Sequence, residues 1–205
     1  MVIHMKKWIQ YIIIITVIFF IYSRDNDDLK DKGTLDITNL EVYEEHIQMA
    51  MRLGYNIGKM PTRYTADSLD TAVRALPYEL IVPTQLPASF KDFELLFITD
   101  WNNKKDRKEI AIEMWAKPIE GEYPFIRISA NDFSYPSEDE LIEDSEIMRV
   151  GNNHDVYITV DEYTVNLNWI DQKVYYKISY LAGANRYDEE NAKQVVLQLA
   201  KQMIR

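Results

Sequence analysis

The longest unbroken apolar run opens the chain: Trp8 to Tyr22, WIQYIIIITVIFFIY. Its Ile and Val content would make a poor isolated helix in water. In lipid the ordering changes, because the backbone must satisfy its own polar groups and a helix does so within one segment. Trp8, Tyr11 and Tyr22 stand near the ends of the run, where amphipathic rings prefer the headgroup region. At about 1.5 Å per residue the run covers roughly 22 Å, against a hydrocarbon core of about 30 Å. Snorkelling by Lys6, Lys7 and Arg24 and local thinning of the bilayer make up the difference. The pattern predicts a transmembrane signal anchor over residues 1–23, with residues 8–22 in the membrane. A cleaved export signal shares the basic start and short apolar core. Here Ile21, Tyr22, Ser23 and Arg24 provide no small-x-small pair, which argues for retention. The short leading tail predicts an N-terminus inside and a body outside the cytoplasm, although basic residues on both flanks (Lys6 and Lys7; Arg24, Lys30 and Lys32) do not separate the two orientations.

Residues 24–37 are polar and read as a juxtamembrane linker. The body is expected over 38–205, and it begins with a helical pattern. Thr38-x-x-Glu41 has capping-box spacing. Leu40, Tyr43, Ile47, Ala50 and Met51 then share a face, with Gly54 placed to end the helix. A shorter helix is predicted from Tyr64 to Leu76, stopped by Pro77.

From Tyr78 the period becomes twofold. Glu79 to Val82 reads as a short strand ahead of the rigid PTQLP connection. Phe93, Leu95 and Phe97 define the apolar face of the next strand, and Ile110, Ile112 and Met114 that of its hairpin partner across a charged turn. Phe125 to Ser129 follows. The last third alternates most clearly: Val156, Ile158 and Val160; Tyr163, Val165, Leu167 and Trp169; Val174, Tyr176, Ile178 and Tyr180. Thr164, Asn166 and Asn168 lie between them, so the sheet has one buried and one wetter face. Asp171 and Gln172 are predicted to connect the last two strands, and Gly151, Asn152 and Asn153 to turn the chain before them. A closing helix is expected from Glu189 to Met203, capped by Asp188. Its stripe of Ala192, Val195, Val196, Leu199 and Met203 is expected to cross the apolar sheet face. The predicted class is α+β: an antiparallel meander of six to eight strands packed by two or three helices.

Charge and composition narrow the chemistry. The net charge is −10, which disfavours a phosphate backbone as partner, so no nucleic-acid binding is expected. No cysteine is present, which removes disulfides, thiolate metal sites, cysteine nucleophiles and a lipidated-cysteine anchor together. The Asp25–Asp28 cluster fails an EF-hand loop because Lys30 takes the glycine place, and it reads as solvated linker. The acids between Asn131 and Glu146 read as a solvated face, since nothing around them implies the apolar pocket that holds a catalytic carboxyl neutral. Of three histidines, His4 precedes the anchor, and a metal site joining His46 and His154 would need carboxylates to complete it. No metal and no cofactor is expected.

Three stretches carry a family resemblance: ALPYELIVPTQLPASF (Ala75 to Phe90), LNWIDQKVYYKI (Leu167 to Ile178) and DEENAKQVVLQLAKQM from Asp188. Over Ala66 to Ile204 the chain resembles the domain of unknown function forty-three sixty-seven, a family found outside the membrane in spore-forming Gram-positive bacteria. Ala88-Ser89 stands where such sequences often carry glutamate and glycine. The resemblance transfers no catalytic residue, and it implies an exported, membrane-tethered sensory or envelope-associated module.

The function expected is therefore non-enzymatic binding or sensing at the outer face of the membrane, with a protein partner or a lipid-like ligand. Trp101, Trp115 and Trp169 are the candidate ligand-binding residues, set against the competing reading that they pack the core. Two alternatives are a small structural subunit docking onto a membrane complex and a cell-envelope hydrolase.

Overall fold

The twofold alternation in Ile110–Ala116 becomes a strand that buries Ile110, Ile112, Met114 and Ala116 and turns the residues between them outward. Repeated across the chain, this rule builds one antiparallel sheet. We describe a computed structural model in which residues 33–53, 60–102, 107–151, 154–183 and 187–204 are described, the side chains at 46, 49, 50 and 138 excepted. The compact body spans Gly33–Arg205.

The elements run β1 (Glu41–Val42), α1 (Glu45–Arg52), β2 (Thr62–Thr65), α2 (Leu69–Arg74), β3 (Glu94–Asp100), β4 (Ile110–Ala116), β5 (Phe125–Asn131), α3 (Glu138–Ile142), β6 (Glu146–Val150), β7 (His154–Asp161), β8 (Thr164–Asp171), β9 (Val174–Leu181) and α4 (Glu189–Met203). The nine strands lie in the order β1-β2-β3-β4-β5-β9-β8-β7-β6. Five strands therefore meander to β5. The chain then passes through α3 to the far edge, and a second meander returns to pair β9 with β5 from Phe125↔Leu181 to Asn131↔Tyr175. The α+β class and the antiparallel sheet are as the sequence predicts. Among the described residues the strands number nine rather than six to eight: β1, β2 and β6 arise where no strand was expected, and the strand expected at Glu79–Val82 is absent.

That correction has a local cause. Thr38 does not cap a helix; its N–H and its hydroxyl both donate to Asp36 Oδ1, at 3.0 and 2.6 Å. This holds a tight turn, and Glu41 and Val42 then pair with Thr65 and Tyr64. The helix starts only at Glu45, and Met51 of its expected stripe is exposed. Thr62–Thr65 is likewise strand instead of the start of a helix, with Tyr64 fully buried. The helix that follows is only Leu69–Arg74, capped by Ser68, whose side chain accepts from the Thr71 N–H.

Two further corrections concern the sheet's inner face. Glu79–Val82 is not a strand. The connection is fixed instead by side chains: Tyr78 donates to the Ala130 carbonyl at 3.0 Å and Tyr176 to that of Glu79 at 3.3 Å. Gln202 of α4 accepts from the N–H groups of Thr84 and Gln85 and donates to the Gln85 carbonyl. Burial pushes the Tyr78 hydroxyl well above its ordinary pKa, so it stays a donor. In β3 the register slips between Leu95 and Phe97. This bulge reverses the parity, so that Ile98 faces the core and Phe97 faces the other way, beneath Tyr43 (ring centroids 4.9 Å) and the Arg63 guanidinium (5.0 Å).

The second meander follows the sequence closely. Val156, Ile158, Val165, Leu167, Trp169, Val174, Tyr176, Ile178 and Tyr180 are buried, while Val160 and Tyr163, beyond the packed region, are exposed. The last hairpin turns through Gln172 and Lys173, both at positive φ (48° and 62°), as a two-residue type I′ loop one residue later than predicted. Helix α4 has the predicted bounds, with Asp188 accepting from the Asn191 N–H at 3.1 Å. Its buried stripe lies against β8, β9 and β6. Lys193 ties it to β6 by pairing with Glu146 at 3.2 Å and with Glu189 at 3.0 Å. No helix among the described residues is long and apolar enough to cross a membrane, and the predicted span 8–22 lies outside the described residues.

Truncating the stripe tests this packing. Leu199→Ala, at a side chain 1% exposed, is expected to lower stability by about 2–5 kcal/mol in urea unfolding. Met51→Ala, at a residue 58% exposed, is expected to change it by no more than about 0.5 kcal/mol.

Candidate functional site

With its inner face closed, the sheet presents what its outward positions carry. The three candidate tryptophans separate on this basis. Trp169 points inward, is 1% exposed and stacks on Tyr176 with ring centroids 4.8 Å apart and planes 8° from parallel. It is core. Trp101 sits at the β3–β4 turn, 53% exposed, with Phe133 at 6.2 Å. Trp115 points outward from the other end of β4. The structure therefore does not bring the three together.

Trp115 lines an open cleft of about 440 Å³ shared with Phe125, Tyr123, Ile119, Lys91 and Lys117. The Trp115 and Phe125 rings meet edge to face at 6.4 Å, and Tyr123 continues the wall at 5.6 Å from Phe125. Lys117 holds its ammonium 4.1 Å from the Trp115 ring centre and 3.3 Å from Glu94. Ile119 and Tyr123 are exposed at the rim. A Cβ built on Gly183 would lie 3.3 Å from the Tyr123 side chain, so glycine is what lets that ring approach the chain after β9. The walls are apolar and aromatic, with the ammonium groups of Lys91 and Lys117 and the carboxylate of Glu122 among the lining, which suits an apolar or aromatic ligand.

Beyond the cleft the outward face is polar. In register across four strands stand Trp115, Arg127, Ser179 and Asn166; one pleat further stand Glu113, Ser129, Lys177 and Asn168. Arg127 pairs with Glu113. The Ser179 hydroxyl donates to Asn166 Oδ1 at 2.7 Å, and that of Tyr175 to Asn168 Oδ1 at 2.8 Å. Asn168 Nδ2 in turn donates to the Tyr157 carbonyl at 3.4 Å. The Lys177 ammonium is half-buried, and burial and the like charge of Arg127 lower its pKa.

The remaining candidate chemistry disperses. Glu140, within the acidic run, closes a capping box with Ser137, whose N–H (2.7 Å) and hydroxyl hold its carboxyl below the usual range, the opposite of a proton donor. Asp132 is buried and accepts the Ile110 N–H at 3.2 Å, fixing the start of β4. His154 opens β7. His46 lies on α1, with its side chain outside the described residues, as is the Asp25–Asp28 cluster. Among the described residues no group of three or more His, Asp or Glu is arranged to hold a metal ion.

Sequence reasoning passed over Tyr123, Ile119 and Lys91, which lie in turns without periodicity, and the neighbours Arg127 and Lys177. The signal for the latter pair was present: each occupies a polar position between apolar ones on a central strand, just as Asn166 and Asn168 do. Comparison with protein-family models, with curated proteins and with solved structures finds no match to this chain.

The separation of the tryptophans is measurable. Trp169→Ala is expected to cost about 3–5 kcal/mol in urea unfolding, whereas Trp101→Ala is expected to cost no more than about 0.5 kcal/mol.

Proposed function

We propose that the chain is a non-enzymatic binding or sensory domain, held by residues 8–22 at the outer face of a bacterial membrane, and that it takes its ligand in the Trp115 cleft. One observation carries the binding reading: Trp115, Tyr123 and Phe125 gather around an open cavity of about 440 Å³, whereas Trp169, their counterpart on β8, is buried in the core. Aromatic walls with a few polar groups at the rim are the usual make-up of a small-molecule site. The location rests on the sequence: an apolar run behind a basic start, and the resemblance of Ala75–Phe90 and Leu167–Ile178 to an exported family. An apolar or lipid-like ligand fits the cleft.

A second reading, a subunit docking onto a membrane complex, draws support from the opposite end of the outward face. There Ile147 of the edge strand β6, 50% exposed, lies across from Tyr157, and Ile170 with Tyr157 and Leu141 borders a further cavity of about 320 Å³.

The cleft is tested with a neutral apolar probe. N-phenyl-1-naphthylamine is expected to brighten in the presence of the body from Thr34 onward, and Trp115→Ala to weaken that binding by about tenfold, the scale of a lost aromatic contact of about 1.4 kcal/mol. Unchanged binding in the variant would remove the cleft from consideration. The cysteine-free sequence makes location equally direct. A single Glu190→Cys change, at an exposed position in the first turn of α4, is expected to react with a membrane-impermeant maleimide on intact cells. Labelling only after lysis would place the body inside.

A further inference from the structure

The outward sheet face beyond the cleft contains an unusual pairing for an acidic chain. Arg127 of β5 and Lys177 of β9 occupy diagonal positions on adjacent strands, since Arg127 is in register with Ser179 and Ser129 with Lys177. Diagonal neighbours on one face are about 7–8 Å apart. Two cations this close repel each other. The Glu113 carboxylate, on β4 at the other side of β5 from Lys177, is engaged by Arg127. Burial and the like charge of Arg127 both disfavour the charged form of Lys177. With a net charge of −10, carboxylates are plentiful elsewhere on the chain. A half-buried ammonium beside a guanidinium is a place where an added anion replaces repulsion by attraction on both sides.

What surrounds the two cations narrows the anion's carrier. Asn166, Ser179, Asn168 and Tyr175 are held in hydrogen-bonded pairs on the same face; Ser179 and Asn168 are buried and Asn166 and Tyr175 half-buried, so the polar groups open to a ligand are those of Asn166 and Tyr175. Trp115 is in register with Arg127 at the edge of this polar field. Amides and hydroxyls suit a body rich in hydroxyl groups, and an aromatic neighbour suits the apolar face of a sugar ring.

We infer that the outward face centred on Arg127 and Lys177 binds an anionic saccharide, whose carboxylate or phosphate lies between the two cations and whose hydroxyls meet the half-buried Asn166 and Tyr175. This rests on the binding-domain reading and uses the surface next to the cleft, with Trp115 at the boundary of the two and Arg127 and Lys177 outside the cleft. The full chain in phosphatidylcholine nanodiscs is titrated calorimetrically with hexagalacturonate, phosphorylated maltohexaose and maltohexaose, with empty nanodiscs as control.

At least one anionic oligosaccharide is expected to bind about tenfold or more tightly than maltohexaose at ~20 mM salt, and to weaken as salt is raised. The tighter of the two identifies the anion as carboxylate or phosphate. Lys177→Gln and Arg127→Gln are each expected to weaken binding by about tenfold, and Lys177→Arg, which keeps the charge, to retain it. Equal affinity for charged and neutral oligosaccharides would overturn the inference, as would full affinity in both glutamine variants. The two readings fail separately. Naphthylamine binding lost in Trp115→Ala, with no anionic saccharide bound by the wild type, leaves the cleft and removes this site; saccharide binding that needs Lys177, with naphthylamine indifferent to Trp115, does the reverse.

Discussion

The packing of α4 across β8 and β9 is the constraint from which the remainder of the body follows. Ala192, Val196, Leu199 and Ala200 are buried against inward positions of those strands, and that contact fixes which side of every residue pair faces the core. Because side chains alternate with a strict period of two, a slip of one residue would exchange the faces of a whole strand. Trp169, Tyr176 and Ile178 go in; Asn166, Asn168, Lys177 and Ser179 go out. The same parity passes through β5 and β4 by register, sending Arg127, Glu113 and Trp115 to the outward side. The binding surfaces proposed above are thus the complement of the core.

The inner face also explains a connection that is extended yet forms no ladder. Residues 77–90 run along the sheet with Leu80 and Phe90 buried, and meet neighbouring backbone at their end, where Phe90 bridges to Pro118 and Ser89 accepts the Ile119 N–H. Side chains from distant elements hold the exposed stretches of this connection: Tyr176 donates to the Glu79 carbonyl, and Gln202 bonds Thr84 and Gln85. Gln202 makes both donor and acceptor contacts with Gln85, as a neighbouring strand would, and so couples the end of α4 to the proline-bracketed segment.

How far this was legible in the sequence depended on whether local signals competed. In β4, β8, β9 and α4 alternation, cap and stripe agreed, and the large buried residues were foreseen; the small Ala116 and Ala200 and the polar Asn168 and Ser179 are buried beyond what the pattern gave. At the N-terminal end they conflicted. Thr38-x-x-Glu41 and Ser137-x-x-Glu140 share one capping signature, yet only the second caps a helix. Asp36, two residues before Thr38, captures its hydroxyl and N–H, and Glu41 is drawn into pairing with β2. The β3 bulge was invisible because Phe93, Leu95 and Phe97 alternate perfectly on paper; the register with β4 breaks between Leu95 and Phe97, which no pattern within β3 reveals. The cleft was one-third legible: Trp115 stood out by type, but its partners Tyr123 and Ile119 come from a turn, and Trp101 and Trp169 differ from it only in the direction the backbone gives them.

The division of the sheet into a core side and a binding side is tested most directly by hydroxyl-radical footprinting of the folded body, read residue by residue by mass spectrometry. Oxidation is expected at Trp101, Trp115 and Tyr123, with Trp169 and Tyr176 protected until the protein unfolds. Trp169 reacting as fast as Trp115 in the folded state would contradict the account.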